Sequence, residues 1–170
     1  MLVIEPRVFE DARGFFLESY NRRAFAEAGI DAEFVQDNHS RSGRGVLRGL
    51  HYQIEHAQGK LVRVIEGEVL DVAVDLRRAS PTFGRHVSIT LFAADRRMLF
   101  IPPGFAHGFL VVSEAAQFLY KTTDYWYPEH ERTLLWRDPA LSIAWPAGIE
   151  PALAAKDAAG IPLAFADVYD

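Results

Sequence analysis

Short strand-forming runs follow one another over residues 46–122, and glycine or proline interrupts them at near-regular intervals. In the run 69–76, Val72 and Val74 alternate with Asp71 and Ala73. An alternation of period two is typical of a strand with one buried face. Many short strands with little helix between them predict an all-β sandwich or jelly roll.

The predicted strands extend over most of the chain. They cover residues 3–9, 15–20, 34–39, 46–53, 61–65, 69–76, 87–91, 98–101, 109–112, 117–122 and 141–145. Asn21 is the expected N-cap of a short helix stopped by Gly29, and the alanine-rich stretch from Ala147 favours another. A chain of 170 residues is expected to form a single domain, 1–170, with a short tail from about residue 158.

Charge and composition narrow the class of partner. The formal net charge of -5 disfavours a nucleic-acid binder, and the absence of cysteine excludes disulfides and thiolate metal sites. The chain lacks an apolar run of about 18 residues and a signal peptide, so we expect no membrane partner and a cytoplasmic location. The basic residues between Arg13 and Arg63 either converge on an anion pocket or form a solvated face.

Two stretches carry groups suited to chemistry. Arg48, His51 and Lys60 lie among apolar, strand-prone residues, where charged groups need partners or a function. The stretch 102–109 begins with the pattern Pro-x-Gly-x-x-His, in which the histidine is His107. This pattern resembles the second motif of cupin jelly rolls. The metal-binding positions of that fold then read His51, Gln53, Lys60 and His107. A protonated lysine repels a divalent ion, so no metal and no organic cofactor are expected.

A histidine beside a lysine suits proton abstraction next to a carbonyl. Imidazole has an unperturbed pKa of about 6.5, and a nearby ammonium both favours its neutral form and stabilises an enolate oxygen. Inversion of a carbon also needs an acid on the opposite face. Tyr120 is either that acid or a tyrosine at the edge of the core with a bonded hydroxyl.

The chain resembles one family closely, the dTDP-4-dehydrorhamnose 3,5-epimerases. The resemblance extends from residue 3 to about residue 158 as an ordered set of short runs. These runs are residues 5–9, 11–16, 34–40, 46–53, 58–63, 71–75, 80–84, 101–109 and 118–121.

The resemblance implies a metal-free cupin jelly roll that works as a homodimer, with N-terminal strands packed on the partner. The implied substrate is dTDP-4-dehydro-6-deoxy-D-glucose, inverted at carbons 3 and 5 to dTDP-4-dehydro-L-rhamnose for dTDP-rhamnose and lipopolysaccharide O antigen. Carried over by position, His51 resembles the base, Tyr120 the acid, Lys60 the group that stabilises the enolate, and Asp157 the carboxylate that orients His51.

The resemblance also implies a set of substrate contacts. Trp126 stands where many members have a tyrosine that stacks on thymine. The remaining matches are Arg13, Glu18, Gln36, Asp37, Asn38, Arg48, Lys60, His107, Glu131 and Lys156. Strand alternation, however, puts Leu47, Gly49 and His51 on one face and Arg48 on the other. Either Gly49 marks a bulge that redirects the arginine, or the arginine reaches the site from an edge.

Three other functions remain open from the sequence. The same scaffold could invert one carbon only or isomerise a related keto sugar. It could also be a sugar-binding cupin without catalysis, although a lectin needs no buried base. A metal-dependent cupin oxygenase is the third alternative, which the lysine disfavours.

Overall fold

Two facing β-sheets account for most of the protein in the computed structural model, which describes residues 1–170. The first has five strands, in the order β1 (Leu2–Ile4), β9 (Met98–Ile101), β6 (Lys60–Glu66), β11 (Ala115–Thr122) and β4 (Gln36–Gly43). The second has six strands, in the order β12 (Glu131–Thr133), β5 (Val46–Gln53), β10 (Phe105–Val111), β7 (Glu68–Asp75) and β8 (His86–Phe92), with β13 (Ala152–Leu153) beside β5.

The remaining elements are short. Strands β2 (Val8–Asp11) and β3 (Gly14–Leu17) form a separate hairpin. Helix α1 (Arg22–Glu27) begins where predicted, because the Asn21 side chain accepts hydrogen bonds from the first free amides. Helix α2 (Ala155–Ala158) and two 3₁₀ turns, Pro128–His130 and Leu163–Phe165, complete the structure. Neither α-helix has the length and apolar character that crossing a bilayer requires. An all-β jelly roll with few short helices is therefore confirmed.

Three apolar clusters hold the layers together. The largest lies between the sheets, where Phe118 of the first sheet stacks on Phe109 of the second at a centroid distance of 4.2 Å. A second covers the outer face of the six-stranded sheet with residues from the C-terminal third, including Leu134 and Leu141. A third packs α1 on the outer face of the five-stranded sheet through Phe25. Both sheets therefore have apolar residues on their two faces.

This layering corrects three predictions. Residues 141–145 form no strand; Leu141 and Trp145 pack as irregular chain on the outer face of the six-stranded sheet. The strand predicted over 34–39 instead covers 36–43. Strand β7 is not half-buried: it lies between β10 and β8 with both faces covered, so residues 71–75 are all buried.

An irregularity in β5 decides which side chains face the interior. The pairing of β5 with β10 shifts between His107, opposite His51, and Phe109, opposite Arg48. Two residues, Gly49 and Leu50, therefore lie opposite the single residue Gly108, which is the arrangement of a β-bulge. Leu50 joins the outer cluster, whereas Arg48 and His51 both line the interior. The bulge alternative is the one observed, and simple alternation was wrong in placing Arg48 on the face opposite His51.

Close backbone contact makes this bulge dependent on glycine. Gly49 has a φ of 130°, and a Cβ there would lie 2.5 Å from Gly108 Cα and 2.9 Å from the His107 carbonyl oxygen. Gly148 also has a positive φ, 78°, yet a Cβ there would meet nothing within 4 Å. Gly49 therefore combines a positive φ with close packing, whereas Gly148 has the positive φ alone.

We expect Gly49→Ala to lower the free energy of unfolding by roughly 3 kcal/mol, because strain and overpacking add. Gly148→Ala, the matched control, should lose only about 1 kcal/mol, from strain alone. Urea denaturation of both variants measures the difference. Equal losses would show that the contact of Gly49 with Gly108 is not tightly packed.

Candidate active site

A cavity of about 330 Å³ opens between the two sheets at one end of the barrel. Its floor is formed by Phe109 and Phe118, and its walls are mostly polar. Most of the residues expected at the site line it: Gln36, Asn38, Arg48, His51, Lys60, His107, Tyr120, Trp126, Glu131, Lys156 and Asp157. The structure therefore gathers these residues from eight parts of the fold into one place.

Three expected substrate contacts lie elsewhere. Arg13 is in the β2–β3 hairpin, where its exposed guanidinium pairs with Asp11. Glu18 is exposed just after the same hairpin. Asp37 is on β4 between Gln36 and Asn38, and it points away from the cavity to pair with Lys121 at 2.8 Å. Alternation of side chains along β4 explains why Asp37 points away from the cavity that Gln36 and Asn38 line. Nothing within the chain brings Arg13 or Glu18 to the cavity.

His51 is held by a carboxylate from the far end of the chain. Its Nε2 lies 2.5 Å from Oδ1 of Asp157, which is 2% exposed. Strand β13 pairs in parallel with the start of β5, and this pairing returns α2 to the cavity. The bond to Asp157 occupies Nε2, so Nδ1 is the nitrogen available to take a proton.

Lys60 and His107 are both buried beside His51. The Lys60 ammonium donates to the His51 carbonyl oxygen at 3.3 Å, and burial lowers its pKa to about 8, against the opposing charges of Asp71 and Glu131. His107 Nε2 lies 2.9 Å from Asp71 Oδ2. Burial also lowers the pKa of His107, which favours its neutral form. The site thus holds a lysine that gives up its proton unusually easily.

Tyr120 stands on the wall opposite His51. It belongs to β11 of the five-stranded sheet, whereas His51 belongs to β5 of the six-stranded sheet. The hydroxyls of Tyr52 and Tyr169 donate to backbone carbonyls at 2.6 and 2.5 Å, but Tyr120 makes no such bond. Burial raises the pKa of Tyr120, so its hydroxyl keeps its proton at neutral pH. A proton donor therefore faces the histidine across the cavity.

Charged groups and an indole surround this centre. Lys156 pairs with Glu131 at 3.0 Å, and Arg48 is oriented by a hydrogen bond to Ser42 Oγ at 3.0 Å. Trp126 lies in the segment between β11 and β12 and is 54% exposed. Two cations and a flat aromatic face suit a ligand with a diphosphate and a base.

The donor groups do not match a cupin metal site. No group of three or more His, Cys, Asp or Glu side chains that could hold a metal ion is present. At the positions where the fold would place ligands, Lys60 offers an ammonium, and Gln53 uses its amide in bonds to the backbone. A divalent ion would meet a positive charge there instead of a ligand.

Two buried polar residues at the site were missed from the sequence. Asp71 was assigned to the polar face of a strand, but it is fully buried and binds His107, with Oδ1 left without a partner. Val69 and Ala73 lie two positions before and after Asp71, on the same face of the strand, and these apolar residues were the available sign that this face is buried. Gln53, considered only as a metal ligand, is 2% exposed and binds backbone groups of the segment bearing Trp126.

Fold and site together define a cupin-type barrel enzyme built for acid–base chemistry. The model of the family described as dTDP-4-dehydrorhamnose 3,5-epimerase matches residues 1–164. A Pseudomonas aeruginosa protein of that name is 63% identical over 170 residues, covering 99% of this chain and 94% of that protein. The chain belongs to the dTDP-4-dehydrorhamnose 3,5-epimerase family.

Solved structures agree. A dTDP-6-deoxy-D-glucose-3,5-epimerase from Legionella pneumophila, in complex with dTDP-4-keto-L-rhamnose, superposes with a TM-score of 0.94 at 52% identity, covering 96% of this chain and 87% of that one. ChmJ, a 3'-monoepimerase from Streptomyces bikiniensis in complex with dTDP-quinovose, gives a TM-score of 0.90 at 35% identity, covering 95% and 83%. The fold is thus similar in enzymes named for two inversions and for one.

The buried Lys60 predicts a pH dependence of stability. Its pKa is about 8 in the folded protein and 10.5 when exposed, so between these values the unfolded chain binds the extra proton. Stability therefore rises with pH across this window, by roughly 3 kcal/mol from this group.

The measurement compares wild type with Lys60→Met. Below pH 8 the Met variant should be more stable, and its advantage should shrink as the pH approaches 10.5. Lys121→Met, which removes a lysine from the outer face of the same sheet, is the control. A gap between wild type and Lys60→Met that does not change with pH would contradict the lowered pKa.

Proposed function

We propose that the protein converts dTDP-4-dehydro-6-deoxy-D-glucose to dTDP-4-dehydro-L-rhamnose by epimerising carbons 3 and 5. The observation that carries this proposal is that His51 and Tyr120 lie on facing sheets and line one cavity together with Lys60. Inversion needs removal of a proton from one face of a carbon and its return to the other. Similarity to epimerases that carry this name supports the choice of substrate.

The proposed reaction runs through an enolate. His51 Nδ1 takes the proton from the carbon beside the 4-keto group, and the electrons of the broken C–H bond move onto the keto oxygen. The Lys60 ammonium stabilises this negative charge. As the electron pair returns from the oxygen to the carbon, Tyr120 donates its hydroxyl proton there from the opposite face. His51 then releases its proton to solvent and Tyr120 takes one up from solvent, after which the same steps serve the second carbon. Asp157 holds the imidazole and supports the positive charge that His51 gains.

Binding is assigned to the groups around this centre. Arg48 and Lys156 suit the sugar and the diphosphate, and Trp126 suits the thymine face. Gln36, Asn38, His107 and Glu131 supply hydrogen bonds to the sugar from the cavity wall. None of these steps requires a metal or an organic cofactor. The product would enter dTDP-rhamnose biosynthesis. A cytoplasmic location of the protein and use of the product in O antigen stay predictions.

Single inversion is the second candidate. The similarity to ChmJ, a 3'-monoepimerase, favours it as an alternative, because both kinds of enzyme share this scaffold. The reaction in deuterated water, followed by NMR, decides between them. Deuterium at both carbons together with the L-rhamno product supports double inversion, whereas deuterium at carbon 3 alone supports a monoepimerase. The absence of exchange at either carbon would refute epimerisation itself.

The same experiment separates the two proton-transfer roles. His51→Asn should abolish exchange at both carbons, because no base remains. Tyr120→Phe keeps the ring but removes the donated proton, so deuterium should still enter the sugar while inverted product falls at least about a hundredfold. Wild-type inversion in Tyr120→Phe would mean that the acid lies elsewhere.

A homodimer is part of the proposal. The β2–β3 hairpin stands apart from both sheets and exposes Phe15 and Phe16 by 60% and 69%. Exposed aromatic residues of this size are characteristic of interaction surfaces. Arg13 and Glu18, the two expected contacts with no route to their own cavity, belong to this region. Packing of the hairpin on a second copy would bring them to the partner's cavity.

Mixing two inactive variants tests the shared site. Arg13→Ala and His51→Ala should each be nearly inactive, since each spoils both sites of its own homodimer. In a mixed dimer one of the two sites receives intact Arg13 from one chain and intact His51 from the other. Random mixing should therefore restore about a quarter of wild-type activity.

The control mixes His51→Ala with Lys60→Ala, two changes within the same cavity. That pair should restore none of the activity under the homodimer proposal, because no mixed site is intact. Failure of the Arg13 pair to recover, despite exchange of subunits shown by mass spectrometry, would place Arg13 outside the site.

A further inference from the structure

The side chain of Gln53 is buried at the rim of the cavity and fully engaged in hydrogen bonds. It lies two residues after His51 on β5 and is 2% exposed. Its Nε2 donates to the carbonyl oxygens of His56 at 2.8 Å and Tyr125 at 3.1 Å. Its Oε1 accepts from the Tyr127 amide at 2.7 Å. Both amide hydrogens and the oxygen are therefore used, and all the partners are backbone groups.

Two of these bonds bracket Trp126. Gln53 binds the carbonyl of the residue before the tryptophan and the amide of the residue after it. This segment belongs to no strand, so its backbone groups lack the partners that a sheet would give. Other side chains complete the set: Gln36 accepts from the Trp126 amide, and Gln58 and Thr122 donate to the Asp124 carbonyl.

Packing covers less than half of the indole, because Trp126 is 54% exposed. Where the ring stands therefore depends strongly on its backbone. Gln53 is the buried side chain that bonds this backbone on both sides of the tryptophan, while Gln58 also donates to the Tyr125 carbonyl at 3.1 Å. The bonds of Gln53 therefore help to set where the indole stands relative to the cavity.

We infer that Gln53 is a positioning residue that fixes Trp126 against the base of the nucleotide substrate. This inference rests on the proposed function, in which Trp126 stacks on thymine. A carboxamide is the group required, because it must donate to two carbonyls and accept from one amide. Glutamate could not donate, and methionine could do neither. Gln53 would act on binding of the nucleotide and not on proton transfer at the sugar.

The test uses dTDP, which carries the thymidine and the diphosphate without the keto sugar. Calorimetry gives its Kd for wild type, Gln53→Met, Trp126→Ala and the double variant. Loss of the stack should weaken dTDP binding about tenfold or more in Trp126→Ala, and Gln53→Met should lose about as much. The double variant should bind no more weakly than the weaker single variant, because both changes remove one interaction.

Steady-state kinetics distinguish a positioning role of Gln53 from a merely structural one. Gln53→Met should raise KM for the keto-sugar nucleotide by about the same factor as Kd while kcat stays within about twofold. Gln117→Met is the matched control: its carboxamide bonds His39 and Glu66 on the five-stranded sheet, and neither dTDP binding nor kcat should change. If Gln53→Met does not fold, Gln53→Asn, whose shorter arm cannot span all three partners, takes its place.

Several results would overturn the inference. One is a folded Gln53→Met variant that binds dTDP with wild-type affinity. Another is a double variant in which the affinity losses of Gln53→Met and Trp126→Ala add in full. A fall in kcat with unchanged KM would also overturn it. Failure of the proposed function looks different: the wild type would not epimerise the keto sugar, yet the loss of dTDP affinity in Gln53→Met and Trp126→Ala would still coincide.

Discussion

The backbones of β5 and β10 approach so closely at Gly49 and Gly108 that neither position has room for a Cβ. The bulge at this contact resets the alternation of β5, so that Arg48 and His51 face the same cavity while Leu50 packs outside. Without the reset, either the arginine or the histidine would point into the outer apolar cluster. The arginine and the histidine therefore share a wall because two glycines allow the contact.

Buried charge is the second constraint on the barrel. Between the sheets lie Lys60, His107 and Asp71. Removing a charge from water there costs on the order of several kcal/mol unless the charge is paired. The large apolar cluster below, with Phe109 stacked on Phe118, supplies stability that can offset this cost. Under the proposed mechanism, the same low-polarity surroundings would strengthen the effect of the Lys60 ammonium on an enolate oxygen. The protein would then lose stability at the place where catalysis gains.

Much of the fold could be predicted because its signals are local. Period-two alternation marked the strands, and Asn21 marked the start of α1. The strand expected over 141–145 failed because an apolar pattern shows burial, not the presence of a hydrogen-bonding neighbour. Asp71 was misread for a related reason, since whether the second face of a strand is covered depends on distant parts of the chain.

The site was predictable to the extent that motifs mark it. His51, Lys60 and His107 could be found from residue type and spacing, whereas Asp157 came only from the family resemblance. Its contact with His51 spans 106 residues and depends on the parallel pairing of β13 with β5. Gln53 carried no chemical signal, because its role arises from where the segment around Trp126 happens to run. Under the homodimer proposal, Arg13 and Glu18 reach a cavity only in a second chain, and from the sequence that arrangement came only from the family resemblance.

The jelly roll offers a specific advantage for inverting a carbon. A proton must leave and return on opposite faces of a flat enolate, so the base and the acid need walls that do not move relative to each other. His51 and Tyr120 come from separate sheets, and those sheets are joined by the interdigitated cluster directly below the cavity. A site made of loops could hold both groups, but only at a cost in precision. Under the proposed mechanism, placing the reaction between two packed sheets makes the distance between acid and base a property of the core.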